Sequence, residues 1–475
     1  MVKVRSYLGW IRRRCEGLVV LGLLIFLLPA TGVVCLISLL RGHERKAARD
    51  GAVVTLQRWG RLLRVGLQDF RTFWWVQFCL ESAQDIWRHL VLLEWVSVRN
   101  IADYSPSAWR GGLRDAPRIL VLKFSHYGDA MHIVPMLRSI RQQRPNARID
   151  LLAGPWCKDL ATRIRYLDEF ISYTPAFVVF NRGDKSSCRR LWSELQFLKM
   201  LRRRNYDVVI STATTNLPEW LIIHAADPSA WVGVSGPSVE YTTRATALVE
   251  AYHSRQYEAE RVSGLLKHVG LEPGASTLEY HVREEELAWA KARLLEQGLS
   301  GDRIIVTMAP GSGWPGKNWP SERFAELADW LFEEYAAGIV LIGATAEREL
   351  GMAMQRSAKV PLVNMIGRTG WGEAAALLRH SHLLVTNDSA PLHLAAALNI
   401  ATVSLFGPTA AGKWAPSGSC HVHLQHPETC SGCWYWHADA KCWNDNACMR
   451  AISLEEVKHA IASLPIRHFQ VAKAV

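Results

Sequence analysis

"HLLVTNDSAPLHLAAALNIATVSLFG", His382 to Gly407, contains two short apolar runs joined by a segment that begins with polar residues. The runs at 382–387 and 401–407 have the length and the aliphatic composition of buried strands. Between them, "APLHLAAAL" predicts a helix with Ser389 at its N-cap and Pro391 in its first turn. A strand, a helix and a second strand in this order predict a parallel sheet covered by helices.

The same alternation of strands and helices continues through most of the chain after residue 117. The further predicted strands are 118–124, 147–153, 206–212, 303–310, 337–343 and 361–367, and the predicted helices include 129–145, 188–205 and 284–298. This pattern predicts an α/β protein with two doubly wound, Rossmann-like halves, split near 275–300. We expect a ligand in the cleft between the halves, at the carboxyl ends of the strands.

Composition and charge limit the possible classes of protein. A chain of 475 residues is too long for one ordinary core, and its contents of 49% hydrophobic and 21% charged residues are typical of an ordered globular protein. The formal net charge of +11 suits nucleic acid, an anionic membrane surface or a phosphorylated ligand. Nucleic acid is the least favoured partner, because no sheet motif of interleaved aromatic and basic residues is present.

The N-terminal region predicts contact with a membrane. Gly17–Leu40 is a run of 24 residues without a charge, which is long enough to span a bilayer and too long for the core of a signal peptide. Basic residues flank it on both sides, and Pro29 and Gly32 interrupt its middle, so a re-entrant hairpin also fits. Residues 51–100, rich in tryptophan and arginine, fit an interfacial helix or an ordinary amphipathic helix.

Three polar segments follow predicted strands and therefore belong at the expected cleft. Asp388, Ser389 and His393 surround a helix N-terminus, which suits a phosphate ligand, although capping alone would also explain the first two. The loop "MAPGSGWPGKNWP", 308–320, offers glycine backbone and Lys317 to phosphate oxygens, without the residue order of a P-loop. In "KFSHYGDAMH", 123–132, Asp129 can accept a proton from a bound hydroxyl or simply begin a helix.

From about residue 118 to 463 the sequence resembles glycosyltransferase family 9, the ADP-heptose:lipopolysaccharide heptosyltransferases. The resemblance rests on five motifs in the family's order: "FSHYGDAMHIVPMLRSI", "PGSGWPGKNWP", "GATAERE", "NDSAPLH" and "LFGPT". It implies a GT-B fold, with the acceptor on the first Rossmann-like half and the nucleotide sugar on the second. The expected domains are a membrane region at 1–116, an acceptor domain at 117–290 and a nucleotide-sugar domain at 291–475.

The resemblance also implies roles for individual residues. Asp129 matches the proposed general base of the family, Lys317 the lysine that holds the donor diphosphate, and Glu347 an acid near the donor nucleoside. The complete donor-binding set implied in this way is Ser312, Lys317, Glu347, Asp388, Ser389 and His393. Two positions depart from the family pattern, because His126 replaces a serine and Ala390 replaces a glycine.

The activity implied is inverting transfer of heptose from ADP-heptose to lipopolysaccharide or another cell-envelope glycan, at the cytoplasmic face of a bacterial inner membrane. The expected partners are the nucleotide sugar, the glycolipid acceptor and membrane lipids, with no nucleic acid and no cofactor. The chain contains no Asp-x-Asp motif, which argues against a divalent metal held by carboxylates. Two alternatives stay open: a GT-B transferase that uses a different nucleotide sugar, and a non-catalytic membrane scaffold with the same fold.

Four of the ten cysteines form a cluster near the C-terminus, at Cys430, Cys433, Cys442 and Cys448. Their C-x2-C-x8-C-x5-C spacing can hold a structural zinc ion. Reduced packing cysteines or a surface disulfide explain the spacing equally simply, although disulfides are uncommon in the cytoplasm. Family members often carry a similar cluster, which does not choose between these interpretations, so no metal ligand is assigned.

Overall fold

The computed structural model describes residues 113–174, 187–214, 217–235, 247–250, 255–299, 303–426, 433, 442 and 444–466. The two N-terminal segments for which we predicted membrane contact, Gly17–Leu40 and 51–100, lie outside these ranges. None of the helices within the described ranges combines the length and the apolar character needed to cross a bilayer.

Two six-stranded parallel sheets form the frame of the molecule. The strands of the first sheet are β1 (Arg118–Lys123), β2 (Arg148–Ala153), β3 (Glu169–Ser172), β4 (Val208–Thr214), β5 (Ala230–Ser235) and β6 (Ala247–Glu250). Those of the second are β7 (Ile305–Ala309), β8 (Gly338–Leu341), β9 (Leu362–Asn364), β10 (Leu383–Asn387), β11 (Ala401–Phe406) and β12 (His421–Gln425). The orders β3-β2-β1-β4-β5-β6 and β12-β11-β10-β7-β8-β9 describe the same doubly wound topology twice, as the alternation predicted.

Helices cover the faces of both sheets. Those of the first half are Tyr127–Met131, Val134–Gln143, Lys158–Ala161, Ser187–Arg203, Leu217–Ala226 and Glu258–Gly264. The later helices are Glu284–Glu296, Ser321–Tyr335, Arg348–Ser357, Trp371–Arg379, Ala390–Ala397, Ala411–Trp414, Ala447–Ala451 and Leu454–Ser463. With helices outside them, the strands are buried on both faces, which explains the continuous apolar runs in the sequence. Leu120–Leu122 of β1 and Leu383–Val385 of β10, for example, are fully inaccessible to solvent.

The structure confirms some of the predicted helix and strand bounds and contradicts others. The prediction of one helix over 129–145 was wrong, because the helix ends at Met131 and a new one starts at Val134, with Pro135 in its first turn, where proline is tolerated. The prediction that Gly298 closes the preceding helix is confirmed, since its φ of +70° is the left-handed conformation that glycine adopts at low cost. Strands β3, β5, β6 and β12 were not predicted, because each of them contains polar residues or glycine.

The two halves meet along the ends of β1 and β10. The short helix Tyr127–Met131 that follows β1 packs against the helix Ala390–Ala397 that follows β10. The Tyr127 ring also stacks on Trp371, with ring centroids 3.9 Å apart and planes inclined by 3°. The order in which strands are added reverses between β1 and β4 in the first sheet and between β7 and β10 in the second. The crevice at such a reversal is the usual ligand site of this topology.

Candidate functional site

Gly128 allows the two halves of the chain to approach closely at the cleft. A Cβ atom at this position would lie 2.9 Å from Cδ2 of His393 and 3.0 Å from Cα of Ala390. Contacts this short are rare for a Cβ atom, so a larger residue at this position would force His393 or Ala390 to shift. The close approach brings the first turn of the helix that carries Asp129 next to the start of the helix that carries His393.

The Asp129 carboxylate lies in a cationic environment and remains accessible. Its side chain is 26% exposed, and its Oδ2 lies 3.7 Å from Nδ1 of His126. Burial alone would raise the pKa of Asp129, but His126 and the buried Lys123 outweigh it, and the pKa lies well below its usual range. The approach of the Asp129 carboxylate also raises the pKa of His126. Asp129 is therefore ionised at neutral pH.

The glycine-rich loop after β7 places Lys317 beside Asp388. A 3₁₀ turn, Pro315–Lys317, brings the lysine back toward the sheet, where its Nζ lies 3.4 Å from Oδ2 of Asp388. The side chains are 15% and 8% exposed, respectively. Burial lowers the pKa of His393, Asp388 and Asp129 act to raise it, and Lys317 acts to lower it.

The side chain of Asn387, at the end of β10, forms a hydrogen bond with each end of this loop. Its Oδ1 accepts a hydrogen bond from the backbone N–H of Trp319 at 3.0 Å, and its Nδ2 donates to the carbonyl of Pro310 at 2.7 Å. The side chain is fully buried, so neither loop group has water as a substitute partner. Asn387 was not predicted as a site residue, although its place directly before Asp388 was an available signal in the sequence.

We expect Asn387→Leu to lower the free energy of unfolding by about 2–4 kcal/mol, because it leaves a buried N–H and a buried carbonyl unpaired. The measurement is urea unfolding of both proteins at one temperature. Asn364→Leu, at a half-buried amide in β9, serves as the control and should cost less. An unchanged denaturation midpoint for Asn387→Leu would contradict the bracing role.

The other predicted donor-site residues lie around the same loop. Ser312 Oγ is 2.6 Å from the Trp314 carbonyl and 2.6 Å from Oδ1 of Asn318, so it shapes the loop from within. The carboxylate of Glu347 lies against Gly311, where a Cβ atom would be 2.2 Å from its Cδ. Burial raises the pKa of Glu347, whose Oε2 accepts a hydrogen bond from Ala344 N–H at 2.8 Å.

Ser389 occupies the predicted N-cap position but does not cap the helix with its side chain. Its φ of −153° is extended, and the helix starts at Ala390. No hydrogen bond runs from the first turn to the Ser389 hydroxyl, which instead lies 3.2 Å from Oγ1 of Thr386. The N–H groups of the first turn are thus not occupied by this side chain, which suits an anion at the helix terminus.

His393 and His132 form a buried contact between the halves, with ring centroids 4.5 Å apart. Burial lowers the pKa of both imidazoles, so both are neutral at pH 7. Among the described residues, both ring nitrogens of His132 and Nδ1 of His393 are buried atoms without a hydrogen-bond partner. His132 was not predicted as a site residue, because its contact with His393 joins residues that are distant in sequence.

A buried ion pair of the first half lies close to a lysine of the second half. Arg261 donates hydrogen bonds of 2.8 and 2.6 Å to the carboxylate of Glu258. Nζ of Lys413, in the helix after β11, lies 3.8 Å from Oε2 of the same carboxylate. These residues were missed in the sequence, because nothing in the local pattern of either segment indicates its partner.

Three of the clustered cysteines lie close to the glycine-rich loop. Cys433, Cys442 and Cys448 line a small cavity together with Trp314 and Gly316. No group of three or more histidine, cysteine or acidic side chains within the described residues is arranged to hold a metal ion. Cys430 lies outside those residues, and no metal ligand is assigned to the cluster.

Comparison with known proteins identifies the family of this chain. Residues 195–443, more than half of the chain, match the family described as "Glycosyltransferase family 9 (heptosyltransferase)". The chain belongs to glycosyltransferase family 9. The membership inferred from the five motifs is therefore confirmed, and the protein is an enzyme that transfers a glycosyl group.

Heptosyltransferases of two bacteria are similar to this chain along most of their own length. Lipooligosaccharide heptosyltransferase 2 of Haemophilus influenzae is 27% identical over 312 residues, which cover 61% of this chain and 83% of that protein. Lipopolysaccharide heptosyltransferase 2 of Escherichia coli K12 is 27% identical over 308 residues, which cover 62% of this chain and 83% of that protein.

Two solved structures share the fold of this chain. The family 9 glycosyltransferase of Veillonella parvula superposes with a TM-score of 0.60 at 21% identity, over 74% of this chain and 99% of that one. The E. coli ADP-heptose lps heptosyltransferase II gives a TM-score of 0.55 at 22% identity, over 73% of this chain and 98% of that one. Two Rossmann-like halves, expected for a GT-B fold, are thus present in the described part of this chain.

Proposed function

We propose that this glycosyltransferase moves heptose from ADP-heptose onto lipopolysaccharide or another cell-envelope glycan, with inversion at the transferred carbon. The names of the heptosyltransferase relatives support the sugar and the acceptor class. An E. coli heptosyltransferase that was solved with ADP, and that superposes with a TM-score of 0.54, supports the nucleotide.

The observation that carries the proposal is the packing of the helix that carries Asp129 on the helix that follows Asp388, whose carboxylate lies beside Lys317. An inverting transfer needs a base on the acceptor hydroxyl and positive charge on the leaving diphosphate. Asp129 extends from the first half and is ionised, whereas Lys317 belongs to the glycine-rich loop of the second half. The acceptor would therefore bind on the half built from β1–β6 and the donor on the half built from β7–β12.

In the proposed step, the acceptor oxygen forms a bond with the anomeric carbon while the bond from that carbon to the diphosphate oxygen breaks. The hydroxyl proton moves to the Asp129 carboxylate, and the electron pair of the broken bond stays on the diphosphate. Lys317 and the first-turn N–H groups after Ser389 stabilise the charge that develops there. Ser312 keeps the loop in shape, Glu347 lies beside the nucleoside, and Asp388 and His393 surround the donor sugar.

The experiment is an activity screen of the purified full chain with a panel of nucleotide sugars and lipopolysaccharide acceptors that lack the transferred sugar. We expect glycosylated acceptor, detected by its mass, with ADP-heptose as the preferred donor. Transfer with another donor would favour the alternative of a family 9 enzyme with a different sugar. A folded protein that binds nucleotide sugars but transfers none of them would favour the non-catalytic scaffold.

Residues 1–110 are proposed to hold the enzyme at the cytoplasmic face of the inner membrane, where the acceptor is embedded. Surface attachment raises the local acceptor concentration, and each basic residue near anionic lipid adds on the order of 1 kcal/mol of attraction. Deleting 1–110 should leave donor binding unchanged and lower the transfer rate to acceptor in vesicles by about tenfold or more. A detergent-solubilised acceptor is the control, because it should be used equally by both proteins. Equal rates on vesicles would contradict the anchoring role.

A further inference from the structure

Trp156 is an exposed aromatic residue at the same edge of the first sheet as Asp129. Large exposed apolar side chains in the described residues are Trp156, Leu295 and Met352, and only the first of them is aromatic. The tryptophan is 41% exposed, whereas the other two lie on the helices Glu284–Glu296 and Arg348–Ser357. An indole left in water at the mouth of a cleft is apolar surface available to a ligand.

The indole is held in one position, although it is exposed. Its Nε1 donates a hydrogen bond of 2.9 Å to the carbonyl of Ser125. The ring rests on the backbone of Gly154, where a Cβ atom would come within 2.3 Å of Cζ2. The 3₁₀ turn Pro155–Cys157 is anchored by the fully buried Cys157. An aromatic surface fixed in this way loses little side-chain entropy when a ligand packs against it.

The position of the ring relates it to the acceptor. β1 and β2 are neighbours in register, with Lys123 opposite Ala153, so the turns that follow them lie side by side. The Ser125 carbonyl that accepts from the indole is one residue before His126, which contacts Asp129. If Asp129 takes the proton of the acceptor hydroxyl, the acceptor ring has to occupy the space above this edge.

We propose that Trp156 is the stacking platform for the acceptor sugar whose hydroxyl faces Asp129. The C–H groups on a pyranose face are apolar and carry a slight positive charge, which suits the negative face of an indole, while the hydroxyls at the ring edge stay free for hydrogen bonds. This assignment rests on the proposed role of Asp129. It adds a contact that selects a cyclic sugar at the acceptor position and that the donor does not share.

The test compares the wild type with Trp156→Ala, Trp156→Phe and the control Leu295→Ala, with ADP-heptose and a lipopolysaccharide acceptor that lacks the transferred sugar. At saturating donor, Trp156→Ala should raise the KM for the acceptor by about tenfold. Trp156→Phe, which keeps an aromatic face, should recover most of the loss, and Leu295→Ala should behave as the wild type. The Kd for ADP-heptose should be unchanged in all three variants.

Specific outcomes would overturn the proposal. An unchanged acceptor KM in Trp156→Ala, or an equal loss in Trp156→Phe, would show that the ring does not bind the acceptor. A matching loss of donor affinity would show that the substitution disturbs the whole cleft. Transfer by the wild type separates the platform hypothesis from the proposed function. If the wild type transfers sugar and the acceptor KM does not respond to Trp156→Ala, the platform alone is wrong. If the wild type transfers no sugar, both hypotheses are wrong.

Discussion

Replacing Asp129 by asparagine should lower the kcat of sugar transfer by about 10³-fold or more, while the Kd for the nucleotide sugar stays within about twofold. Asparagine has nearly the same shape as aspartate but cannot take the proton of the acceptor hydroxyl. Asp129 belongs to the first half, so the donor contacts of the second half should survive. The measurements are initial transfer rates and calorimetric titration with ADP-heptose.

The pH dependence of the wild type gives an independent check on this prediction. Because the pKa of Asp129 lies well below its usual value, the carboxylate persists as the pH falls, and it is lost only when the pH drops through that low pKa. Asp129 should therefore cause no loss of kcat between pH 8 and about pH 5. A near-normal kcat of sugar transfer in Asp129→Asn would show that Asp129 is not the base.

Replacing Lys317 by alanine should weaken the binding of the donor by about tenfold or more and lower kcat by about 10²-fold. Lys317 is the cation of the glycine-rich loop, and its Nζ lies beside Asp388. Lys317→Ala removes positive charge beside the bound diphosphate in the ground state. It also removes that charge in the transition state, where the negative charge of the diphosphate increases. The effect should thus appear in both parameters, unlike that of Asp129→Asn.

Lys317→Arg is the matched variant, because it keeps the charge but changes the reach and the hydrogen-bond geometry. We expect it to retain more donor affinity than Lys317→Ala and an intermediate rate. Urea unfolding of all three proteins separates loss of stability from loss of function. A donor Kd that does not change in a folded Lys317→Ala protein would contradict the assignment of Lys317 to the diphosphate.

The sequence was sufficient for those parts of the fold that depend on local patterns. Buried parallel strands are apolar over their whole length, so β1, β7 and β10 were visible, and polar residues directly after them marked the cleft. For the same reason Asp129, Lys317 and Asp388 could be expected to meet. The structure confirms the doubly wound topology on which this expectation depends.

Contacts that join distant segments could not be predicted in this way. The bonds of Asn387 to Pro310 and Trp319, and the approach of Lys413 to Glu258, depend on how loops and halves pack. Short strands with polar residues, such as β3 and β12, obtain their stability from pairing with a neighbour and not from their own composition. The exposure of Trp156 is likewise a property of packing, because most tryptophans are largely buried.

The most direct test of the central claim is the anomeric configuration of the sugar that the full chain transfers, determined by NMR of the glycosylated acceptor. With one base at Asp129 and one cationic site for the leaving diphosphate at Lys317, we expect a single displacement, so the product should have the anomeric configuration opposite to that of the donor. A product that retains the donor configuration would require a different mechanism and would rule out a single displacement with Asp129 as the base.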